Sequence, residues 1–570
     1  MQISVLSPDV IAKIAAGEVV DRPASVVKEL LENSIDAGAT IIEIHVKDAG
    51  KELIHIKDNG SGISKPDLEN LFTRHATSKI QNINDLETIH SMGFRGEALY
   101  SIAAVSDITL RTQTAGSKDA WSIHVQGGKR LDLAPTATSG PGTNIKITEL
   151  FFNTPARRKF LKSNASEINQ IIGVVIPYTL IYPEKQFLLS HAGRDLIALT
   201  PASGRLDRAA AALNLEQKDL LEVAQNYPEE NLSIKMVLGN INVQRPRRDT
   251  QFIFINDRPV MSKYLGFTLN DIYRALLPPG VYPAFVLDIQ IDPADVDVNI
   301  HPAKREVRIK NEAKICSIVR HLSEDALMRF GNAKAAQLPA GFVPTGNYER
   351  AYTLPPRNDP QSAGLFPSST IEELSDLFNG TDNSLQTKFS QAKFIGSFIN
   401  KYLLFEQGAS LLMVDQHAAQ ERIMFEKFQK QIEQGAVETQ PLLVPVLVRM
   451  NAQERVAWDD IKDKMQEVGI EATLFDEETL AVHAQPILLK NIVLVMRALL
   501  SGADIARCDR VTIARRACKA SIVTGDRLSP QQADYQRQQL LECQSPFTCP
   551  HGRPTVVELT EPFLDRQFLR

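Results

Sequence analysis

Val26-Val-Lys-Glu-Leu-Leu-Glu-Asn-Ser-Ile-Asp36 is the stretch that decides the fold of the first half of this chain. A helix with about 3.6 residues per turn places a set of polar side chains on one face: Glu29, Glu32, Asn33 and Asp36. The apolar residues of the stretch fall on the other side, where a core would lie: Val27, Leu30, Leu31 and Ile35. Alone, this pattern is more typical of a solvated acidic helix. One acid could still act as a general base on water, and one amide oxygen could bind Mg²⁺.

A glycine-containing loop follows, and it could bind the ligand on which such a face would act. Ile54-His-Ile-Lys57 predicts a short strand that runs into Asp58-Asn-Gly-Ser-Gly62. An Asp at a strand end can accept a hydrogen bond from the exocyclic amine of a base. Gly60 and Gly62 let the backbone turn and approach a ligand closely. A plain hairpin turn is the alternative, because Asn-Gly is common in such turns.

Two further segments point to phosphate. Gly93-Phe-Arg-Gly-Glu97 leads into a predicted helix, and backbone N–H groups at a helix start favour an anion, to which Arg95 adds positive charge. Arg74-His-Ala-Thr-Ser-Lys79 carries two hydroxyls and three possible cations, which would suit a lid over a triphosphate. The motifs together predict an ATP site.

In this order, E-x-x-x-N, D-x-G-x-G and G-F-R-G-E-A resemble the ATP site shared by DNA gyrase B, Hsp90-type chaperones, sensor histidine kinases and MutL. No Walker A sequence occurs, so a P-loop fold is not indicated. Longer motifs, within roughly the first 330 residues, narrow the resemblance to the MutL family of mismatch-repair ATPases. These motifs are Ile14-Ala-Ala-Gly-Glu-Val-Val20, Arg22-Pro-Ala-Ser-Val-Val-Lys-Glu-Leu30, Asp36-Ala-Gly-Ala-Thr40, Arg74-His-Ala-Thr-Ser-Lys79, Asn153-Thr-Pro-Ala-Arg-Arg-Lys-Phe-Leu161 and Val296-Asp-Val-Asn-Ile-His-Pro-Ala-Lys-Arg-Glu-Val-Arg308.

The resemblance implies an α+β multidomain fold. Its parts would be a GHKL-type α/β sandwich ATPase domain at 1–205, a second, S5-like α/β transducer domain at 206–330, a flexible linker at 331–388, and a C-terminal α+β dimerisation and endonuclease domain at 389–570. Composition supports the linker, because Gly331 to Thr370 contains six prolines and four glycines without sustained periodicity.

The resemblance also implies roles for individual residues of the ATP site. Glu29 would activate the hydrolytic water, Asn33 would hold Mg²⁺, and Asp58 would bind the adenine amine. The remaining contacts to the nucleotide would come from Gly60, Gly62, Thr77, Ser78, Arg95, Gly96 and Thr143. Lys304 would reach the γ-phosphate from the second domain and sense its presence. Without the resemblance, a solvated lysine in a turn explains Lys304 equally well.

Length and composition agree with a large intracellular protein. The chain has 570 residues, of which 43% are apolar, so three or four domains are expected. No apolar run reaches about 18 residues, and the N-terminus lacks the features of a secretory signal. The five scattered cysteines do not form a disulfide framework. We expect a cytoplasmic protein of the bacterial cytosol, associated with the nucleoid and not with a membrane.

The net charge of −5 argues against a surface covered in positive charge, but nucleic-acid binding needs only a local patch. Two basic segments, 157–162 and 244–248, are candidates, with solvated basic turns as the alternative. The residues that would contact DNA phosphates are Arg157, Arg158, Arg245, Arg247, Arg248 and Arg258. In MutL proteins the second domain contributes to a DNA groove, which favours the second segment.

The C-terminal part contains a possible metal site. Leu411-Leu-Met-Val414 predicts a buried strand that ends at Asp415 and is followed by a helix. His417 and Glu421 lie four residues apart, so one helix face could present both to a metal. Cys549 and His551 could be presented together by a compact loop, with Cys518 as a further sulfur. By spacing alone, an ordinary polar helix and core cysteines are the more frequent case.

D-Q-H-A-x-x-E-x-x-x-x-E, A-C-K-x-S, C-P-H-G-R-P and a terminal F-x-R resemble the motifs of those MutL proteins that nick DNA. The resemblance implies that one or two divalent metals, Mn²⁺ for nicking and Zn²⁺ in the same region, assist phosphodiester hydrolysis. The residues that organise them would be Asp415, His417, Glu421, Cys549 and His551. Arg553 or Arg570 could contact the phosphate, and Glu426 could support the metal ligands or the fold.

The family also implies partners. Gln440-Pro-Leu-Leu-Val-Pro445 resembles the peptide that docks bacterial repair proteins on the replication sliding clamp, with a simple edge strand as the alternative. The docking residues would be Gln440, Leu442, Leu443 and Pro445. We expect a homodimer through 389–570 that binds DNA and the mismatch-recognition protein MutS, with slow, regulatory ATP hydrolysis. The rival hypothesis is a matchmaker that recruits a separate nuclease and cuts nothing. A gyrase- or chaperone-type ATPase is disfavoured by the longer motifs.

Overall fold

Eight strands organise the N-terminal part of the chain. A computed structural model describes residues 20–73, 76, 92, 97–138, 140–274, 276–277, 280–297, 307–335, 382–501, 509–521, 528–550 and 552–567. The strands are β1 Ile41–Lys47, β2 Leu53–Asp58, β3 Asp107–Gln113, β4 Ala120–Gln126, β5 Lys129–Thr136, β6 Gly142–Thr148, β7 Gln186–His191 and β8 Arg194–Leu199. Across the sheet their order is β5-β4-β3-β6-β2-β1-β7-β8. Neighbours pair antiparallel, except that β1 and β7 are parallel.

Helices cover one face of this sheet. The helices of this part of the chain are α1 Pro23–Asp36, α2 Lys65–Asn70, α3 Ala98–Ala104, α4 Pro155–Phe160 and α5 Asn164–Ile181, and all of them except α4 contribute buried residues. Alternate residues of the central strands, such as Ile42, Ile44 and Ile56, point into the helical layer and are almost fully buried. Helix α5 contributes Ile171 and Val175 to the same apolar cluster. The result is a two-layer α/β sandwich, as the sequence predicts.

A smaller sheet follows. The elements in chain order are α6 Arg205–Leu213, β9 Leu220–Tyr227, β10 Leu232–Gly239, β11 Gln251–Ile255, β12 Arg258–Pro259, α7 Lys263–Arg274, β13 Phe285–Gln290, β14 Val296–Asp297, β15 Arg308–Ile309 and α8 Glu312–Ala335. Five of the strands form a sheet in the order β12-β11-β13-β10-β9, with β11 and β13 parallel. Arg205, at the start of α6, forms an ion pair with Asp288 in the centre of this sheet. Asp288 is buried, so this pair ties the sheet to the helix that follows the first domain.

Two small sheets form the C-terminal part. The elements are α9 Asp382–Gln391, β16 Lys393–Phe398, β17 Tyr402–Gln407, β18 Ser410–Asp415, α10 Gln416–Glu433, β19 Thr439–Arg449, α11 Ala452–Glu467, β20 Glu471–Leu474, β21 Thr479–Pro486, α12 Ile492–Leu500, α13 Arg510–Ser521, α14 Pro530–Leu541, β22 Val556–Thr560 and α15 Glu561–Gln567. The sheets have the orders β16-β17-β18-β22 and β19-β21-β20. Each has its own apolar cluster. Helix α10 serves both, because Ile423 belongs to one cluster and Phe425 to the other.

These elements confirm the α+β multidomain class. Regular structure reaches into both ends of the expected linker, since α8 continues to Ala335 and α9 begins at Asp382. Residues 336–381 lie outside the described ranges. Within the described ranges, none of the helices has the length and apolar character that a bilayer crossing requires.

Candidate functional site

Helix α1 has the two-sided character that its sequence predicts. Val27, Leu30 and Leu31 expose 4% of their surface at most and pack into the core. Glu29 and Asn33 are half-buried on the opposite side. Pro23 begins the helix, where its missing N–H needs no partner. The helix therefore presents an acid and an amide together, as the predicted ATP site requires.

Glu32 corrects the predicted polar face. Its carboxylate is buried and accepts a hydrogen bond of 2.5 Å from the hydroxyl of Tyr178 on α5. Lys28 Nζ lies 3.2 Å from the same carboxylate. Burial, and then the negative charge of Glu32, raise the pKa of Tyr178 well above its ordinary value, which keeps the phenol protonated as a donor. Glu32 thus fastens α1 to α5 and is not a free acid of the site.

Asp58 joins three elements at the end of β2. Its Oδ2 accepts a hydrogen bond of 2.9 Å from Ser34 Oγ of α1. Its Oδ1 accepts N–H groups from Gly60 at 2.9 Å and from Thr143 of β6 at 3.3 Å. Burial raises the pKa of Asp58, and these hydrogen bonds oppose the rise. The structure therefore brings together Asp58, Gly60 and Thr143, three residues that the sequence predicts in one site.

Gly62 allows the closest backbone approach in this loop. Its φ is +71°, and a Cβ at this position would lie 2.0 Å from the carbonyl oxygen of Gln113. Gly60 is tight as well, since its Cβ would lie 2.9 Å from the carbonyl oxygen of Ala37 at the end of α1. Both glycines are needed for the loop to lie against its neighbours.

Sequence analysis missed two hydroxyls that build this site. Ser34 holds Asp58, and Thr112 accepts the N–H of Ile63 at 2.9 Å while donating to the carbonyl of Gly142 at 2.9 Å. Ser34 lies between Asn33 and Ile35, at the border of the predicted polar face. A small polar residue at such a border is the sequence signal that could have identified it. Several predicted contacts lie outside the described residues: Thr77, Ser78, Arg95, Gly96 and Lys304.

Asp415 begins helix α10 in the C-terminal domain. Its Oδ1 accepts the N–H groups of His417 at 2.9 Å and Ala418 at 3.0 Å, which is the geometry of an N-cap. Its own N–H donates to the carbonyl of Thr555 at 2.9 Å, which ties the start of the helix to the C-terminal strand region. One carboxylate oxygen thus fixes the first turn of the helix that carries His417.

His417 and Glu421 lie on α10 as predicted. Glu421 is 5% exposed. The Nδ1 atom of His417 is buried, and among the described residues it has no hydrogen-bond partner. Helix α13 packs against α10, and burial and then the charge of Glu421 raise the pKa of the Cys518 thiol in α13 to about 12. His417 and Glu421 lie about one turn apart on the same helix.

The loop that carries Cys549 is held against the same helix. Arg422 Nε donates to the carbonyl of Thr548 at 2.5 Å. Glu426 accepts the N–H groups of Gln544 at 2.6 Å and Ser545 at 3.2 Å. Glu426 therefore supports the loop, which agrees with either of the two roles that its sequence left open. Cys549 is buried.

These residues fit a transition metal in their chemistry. An imidazole nitrogen without a partner, a buried carboxylate and buried thiols are the donor types that zinc-like ions bind. Within the part of the chain that the structure describes, no group of three potential ligands is close enough to hold an ion. His551 and Arg570 lie outside that part. The metal site therefore stays a prediction from the family motif.

The basic residues predicted to contact DNA separate into two groups. Arg158, Arg247 and Arg248 are exposed, while Arg157 and Arg258 are partly exposed. Arg245 is 2% exposed and lies 3.7 Å from Glu454 of the C-terminal domain. In this arrangement the guanidinium of Arg245 is closed off from solvent by the C-terminal domain, so its contact with DNA stays a prediction.

The predicted clamp peptide lies in β19. This strand pairs with β21 at 439–441 and again at 446–449, and the register shifts between the two stretches. Leu443 is fully exposed, Gln440 and Pro445 are exposed, and Leu442 is partly exposed. The peptide is therefore presented on a bulged edge, where a partner could reach its side chains.

Three family models match the chain. A Histidine kinase-, DNA gyrase B-, and HSP90-like ATPase model matches residues 21–140. A model described as DNA mismatch repair protein, C-terminal domain, matches 213–328, and the MutL C terminal dimerisation domain matches 395–528. The three matches follow the same order as the predicted domains.

Relatives that match over nearly their full length are named DNA mismatch repair protein MutL. The DNA mismatch repair protein MutL of Endomicrobium trichonymphae is 34% identical, with all of both chains covered. That of Listeria monocytogenes serotype 4a (strain HCC23) is 35% identical over 98% of this chain and 97% of its own. This chain belongs to the MutL family. It is a DNA mismatch repair protein with a GHKL ATPase domain and a C-terminal dimerisation domain, which confirms the resemblance on which the domain assignment rests.

Solved MutL structures are also similar. The Aquifex aeolicus MutL ATPase domain complexed with ADP is 28% identical, with 48% of this chain and 94% of that chain covered and a TM-score of 0.38. An N-terminal domain of a DNA repair protein is 26% identical, with 57% of this chain and 99% of that chain covered and a TM-score of 0.49.

Replacing Gly62 by Ala should destabilise the ATPase domain. The new Cβ must occupy a positive-φ conformation, which costs about 1–3 kcal/mol, and it also collides with Gln113. Gly193→Ala is the matched control, because Gly193 has φ +85° and its Cβ would meet nothing within 4 Å. Thermal unfolding should show the larger loss for Gly62→Ala. Equal losses would mean that the close approach to Gln113 does not matter.

Replacing Asp58 by Asn should leave stability unchanged or slightly higher. The raised pKa means that the folded state holds this proton more tightly than the unfolded state, so stability falls as pH rises from the ordinary value of 3.8 through the folded pKa. A neutral amide avoids that loss. Binding of a fluorescent ATP analogue should nevertheless fall about tenfold or more, because an Asn Nδ2 group cannot accept from an adenine amine. An unfolded variant would contradict this expectation.

Proposed function

We propose that this MutL-family protein is an ATP-gated dimeric clamp whose C-terminal domain nicks DNA with the help of a divalent metal. The observation that carries the nicking activity is the buried Nδ1 atom of His417, which has no hydrogen-bond partner among the described residues. A buried imidazole nitrogen left in this state costs stability, and a bound cation would offset that cost. The neighbouring Glu421 supplies the carboxylate oxygen that such an ion also needs.

The residues that would hold the metal are His417, Glu421 and Cys549, with His551 added by the family motif. A bound Mn²⁺ or Zn²⁺ ion would supply Lewis acidity and lower the pKa of a water. The chain itself contributes position. Asp415 fixes the first turn of α10 through its cap, and Glu426 fixes the loop before Cys549. These backbone anchors hold the ligand-bearing segments in one arrangement before the ion arrives.

At the ATP site, the proposed roles follow the geometry of α1 and β2. Asp58 would accept the adenine amine, Asn33 would hold Mg²⁺, and Glu29 would orient the hydrolytic water. The proposed role of Asp58 is supported by its hydrogen bonds with Ser34, Gly60 and Thr143, which orient the carboxylate before any nucleotide binds. Hydrolysis would be slow and regulatory, because the nucleotide's task is to set a conformation. Lys304 remains a proposal from the family motif.

The homodimer would form through the uncovered face of the sheet β16-β17-β18-β22. Leu412 and Val414 of β18 are buried beneath the helices, so Met413 points to the other face. Leu404 of β17 and Val557 of β22 are its direct partners in the register. All three are partly exposed apolar residues in one row. Such a row needs a second apolar surface, and a second copy supplies one.

DNA, MutS and the sliding clamp are the further partners that we propose. Arg247, Arg248 and Arg158 are exposed cations that suit phosphate contacts. The exposed Leu443 on its bulged edge suits docking in a pocket of the clamp. MutS is proposed from the family alone. A protein that acts on DNA would also be found at the nucleoid of the bacterial cytosol.

The matchmaker hypothesis is kept as the second candidate. It is favoured by the finding that the described residues contain no group of three potential metal ligands. In that case His417, Glu421 and Cys549 would serve a structural zinc ion at most, and a separate nuclease would cut the strand.

Nicking of supercoiled plasmid in Mn²⁺ distinguishes the two hypotheses. Asp415→Asn should reduce nicking by roughly 100-fold or more, because it removes the carboxylate charge that the family motif assigns to the metal, while an Asn still caps helix α10. Asp476→Asn is the matched control, because Asp476 also accepts a backbone N–H, that of Glu478 at 2.8 Å. Metal content should fall in His417→Ala, measured by mass spectrometry of the dialysed protein. A wild-type chain that fails to nick with clamp and ATP present would favour the matchmaker.

Replacing Met413 by Glu should weaken the dimer. A charge placed in the centre of an apolar interface loses burial energy and is desolvated, so we expect dimerisation to weaken about 10- to 100-fold. Light scattering should show the shift towards the 63.3 kDa monomer. Ile487→Glu is the control, because Ile487 is an exposed apolar residue next to the other small sheet. Loss of the dimer in Ile487→Glu but not in Met413→Glu would place the interface elsewhere.

A further inference from the structure

The first turns of α11 pack against the ATPase domain. Ala452 is buried in the apolar cluster of that domain, and Val456 packs against the cluster one turn later. Asn451 and Glu454 form a capping box, in which each side chain accepts the backbone N–H of the other at 2.9 Å. The box fixes the start of the helix and with it the direction of every side chain that faces the ATPase domain.

Polar contacts extend this interface along the edge strand β8. The guanidinium of Arg455, itself buried, donates to the carbonyl of Leu196. Arg194 Nη1 lies 3.0 Å from Asp459 Oδ2, with both side chains partly exposed. In the first pair the arginine belongs to the C-terminal domain, and in the second pair the arginine belongs to the ATPase domain. This complementarity selects one way of docking.

The same C-terminal surface also contacts the basic loop, residues 244–248. Arg247 Nη1 donates to the carbonyl of Ser501, just beyond α12, at 2.6 Å. Arg245 lies 3.7 Å from Glu454. Two of the three arginines in the loop are therefore engaged by groups of the C-terminal domain.

Two buried arginines share the carboxylate of Glu454. Arg497 Nη1 lies 3.6 Å from the same carboxylate oxygen that faces Arg245. Both Nη1 atoms are buried, and neither has a hydrogen-bond partner within the described part of the chain. Burial, and then the charge of Arg497, lower the pKa of Arg245 to about 10, because the guanidinium is poorly solvated there. A phosphate group, with several oxygens, would satisfy such donors better than one shared oxygen does.

We propose that the C-terminal domain and DNA compete for the basic loop, so that the docked chain has a low affinity for DNA. This inference rests on the proposed phosphate contacts of Arg247 and Arg248. The surface that docks is the start of α11, and its partner is the ATPase domain of the same chain. Exposed ion pairs and single hydrogen bonds stabilise such an interface only modestly, so DNA can displace it.

Arg194→Asp in the full chain tests the competition directly. The change places Asp opposite Asp459 and repels α11, so DNA affinity should rise roughly threefold to tenfold in fluorescence anisotropy with a short duplex. Electrostatics alone predicts the reverse, because the variant has lost a positive charge. An affinity that falls or stays constant would overturn the proposal.

Arg130→Asp is the matched control. It makes the same charge change on β5, at the opposite edge of the sheet from β8, and should weaken DNA binding slightly or leave it unchanged. The double variant Arg194→Asp/Asp459→Arg restores an opposite-charge pair and should return the affinity towards that of the wild type. A double variant that binds DNA as tightly as Arg194→Asp would contradict the role of this pair.

A cross-link between the two domains detects their docking in the absence of DNA. Gln453 Nε2 lies 3.7 Å from the position of a Cβ at Gly173, so Gly173→Cys and Gln453→Cys can be joined by a short bismaleimide. We expect joining within one chain, less of it in Arg194→Asp, and weaker DNA binding once joined. Joining only between two differently tagged chains would assign the contact to a second copy and overturn the docking within one chain. If the two cysteines join but the protein binds no DNA, with or without the cross-link, the proposed DNA contacts and the competition would both be wrong. Docking of the two domains would still be supported.

Discussion

The carboxylate of Asp58 is the constraint on which the nucleotide half of the structure depends. It binds α1 through Ser34, its own loop through Gly60, and β6 through Thr143. Burial disfavours its charge, and only these hydrogen bonds compensate. If any one of the three elements moved away, a buried oxygen would lose a partner, at a cost of about 1–3 kcal/mol. These contacts therefore fix the end of β2 against α1 and β6.

Helix α5 connects helix α1, which holds Asp58 through Ser34, to the C-terminal domain. Tyr178 of α5 holds Glu32 of α1, and the carbonyl of Asn169, also in α5, accepts a hydrogen bond of 3.3 Å from Gln453 of α11. One helix thus contacts the ATP helix and the docked domain. A shift of α5 on undocking would either carry Glu32 with it or break a buried hydrogen bond, so the two ends of the chain are mechanically linked through a few side chains.

The sequence predicts what depends on neighbours along the chain. Helical spacing was sufficient to place Glu29 and Asn33 on one face of α1, and the strand before Asp415 and the helix after it were correct. It could not predict Glu32, because the partner that buries it, Tyr178, is 146 residues away. For the same reason it could not predict the burial of Arg245, because its partner Glu454 lies more than 200 residues away in the sequence. Local patterns identify which residues have useful chemistry, whereas long-range packing decides which of them remain accessible.

The C-terminal motif shows how one short segment divides its residues between chemistry and architecture. Glu426 is satisfied by two backbone N–H groups and by Arg422 at 3.3 Å, so it contributes to the fold whether or not a ligand is present. His417 lies nine residues earlier on the same helix and has a buried nitrogen that the described residues leave unpaired. A buried nitrogen without a partner costs about 1–3 kcal/mol, and the cation that we propose for this site would offset that cost. Binding of a cation and stability of this domain should therefore be linked, because the ion would bind the folded arrangement and not the unfolded chain.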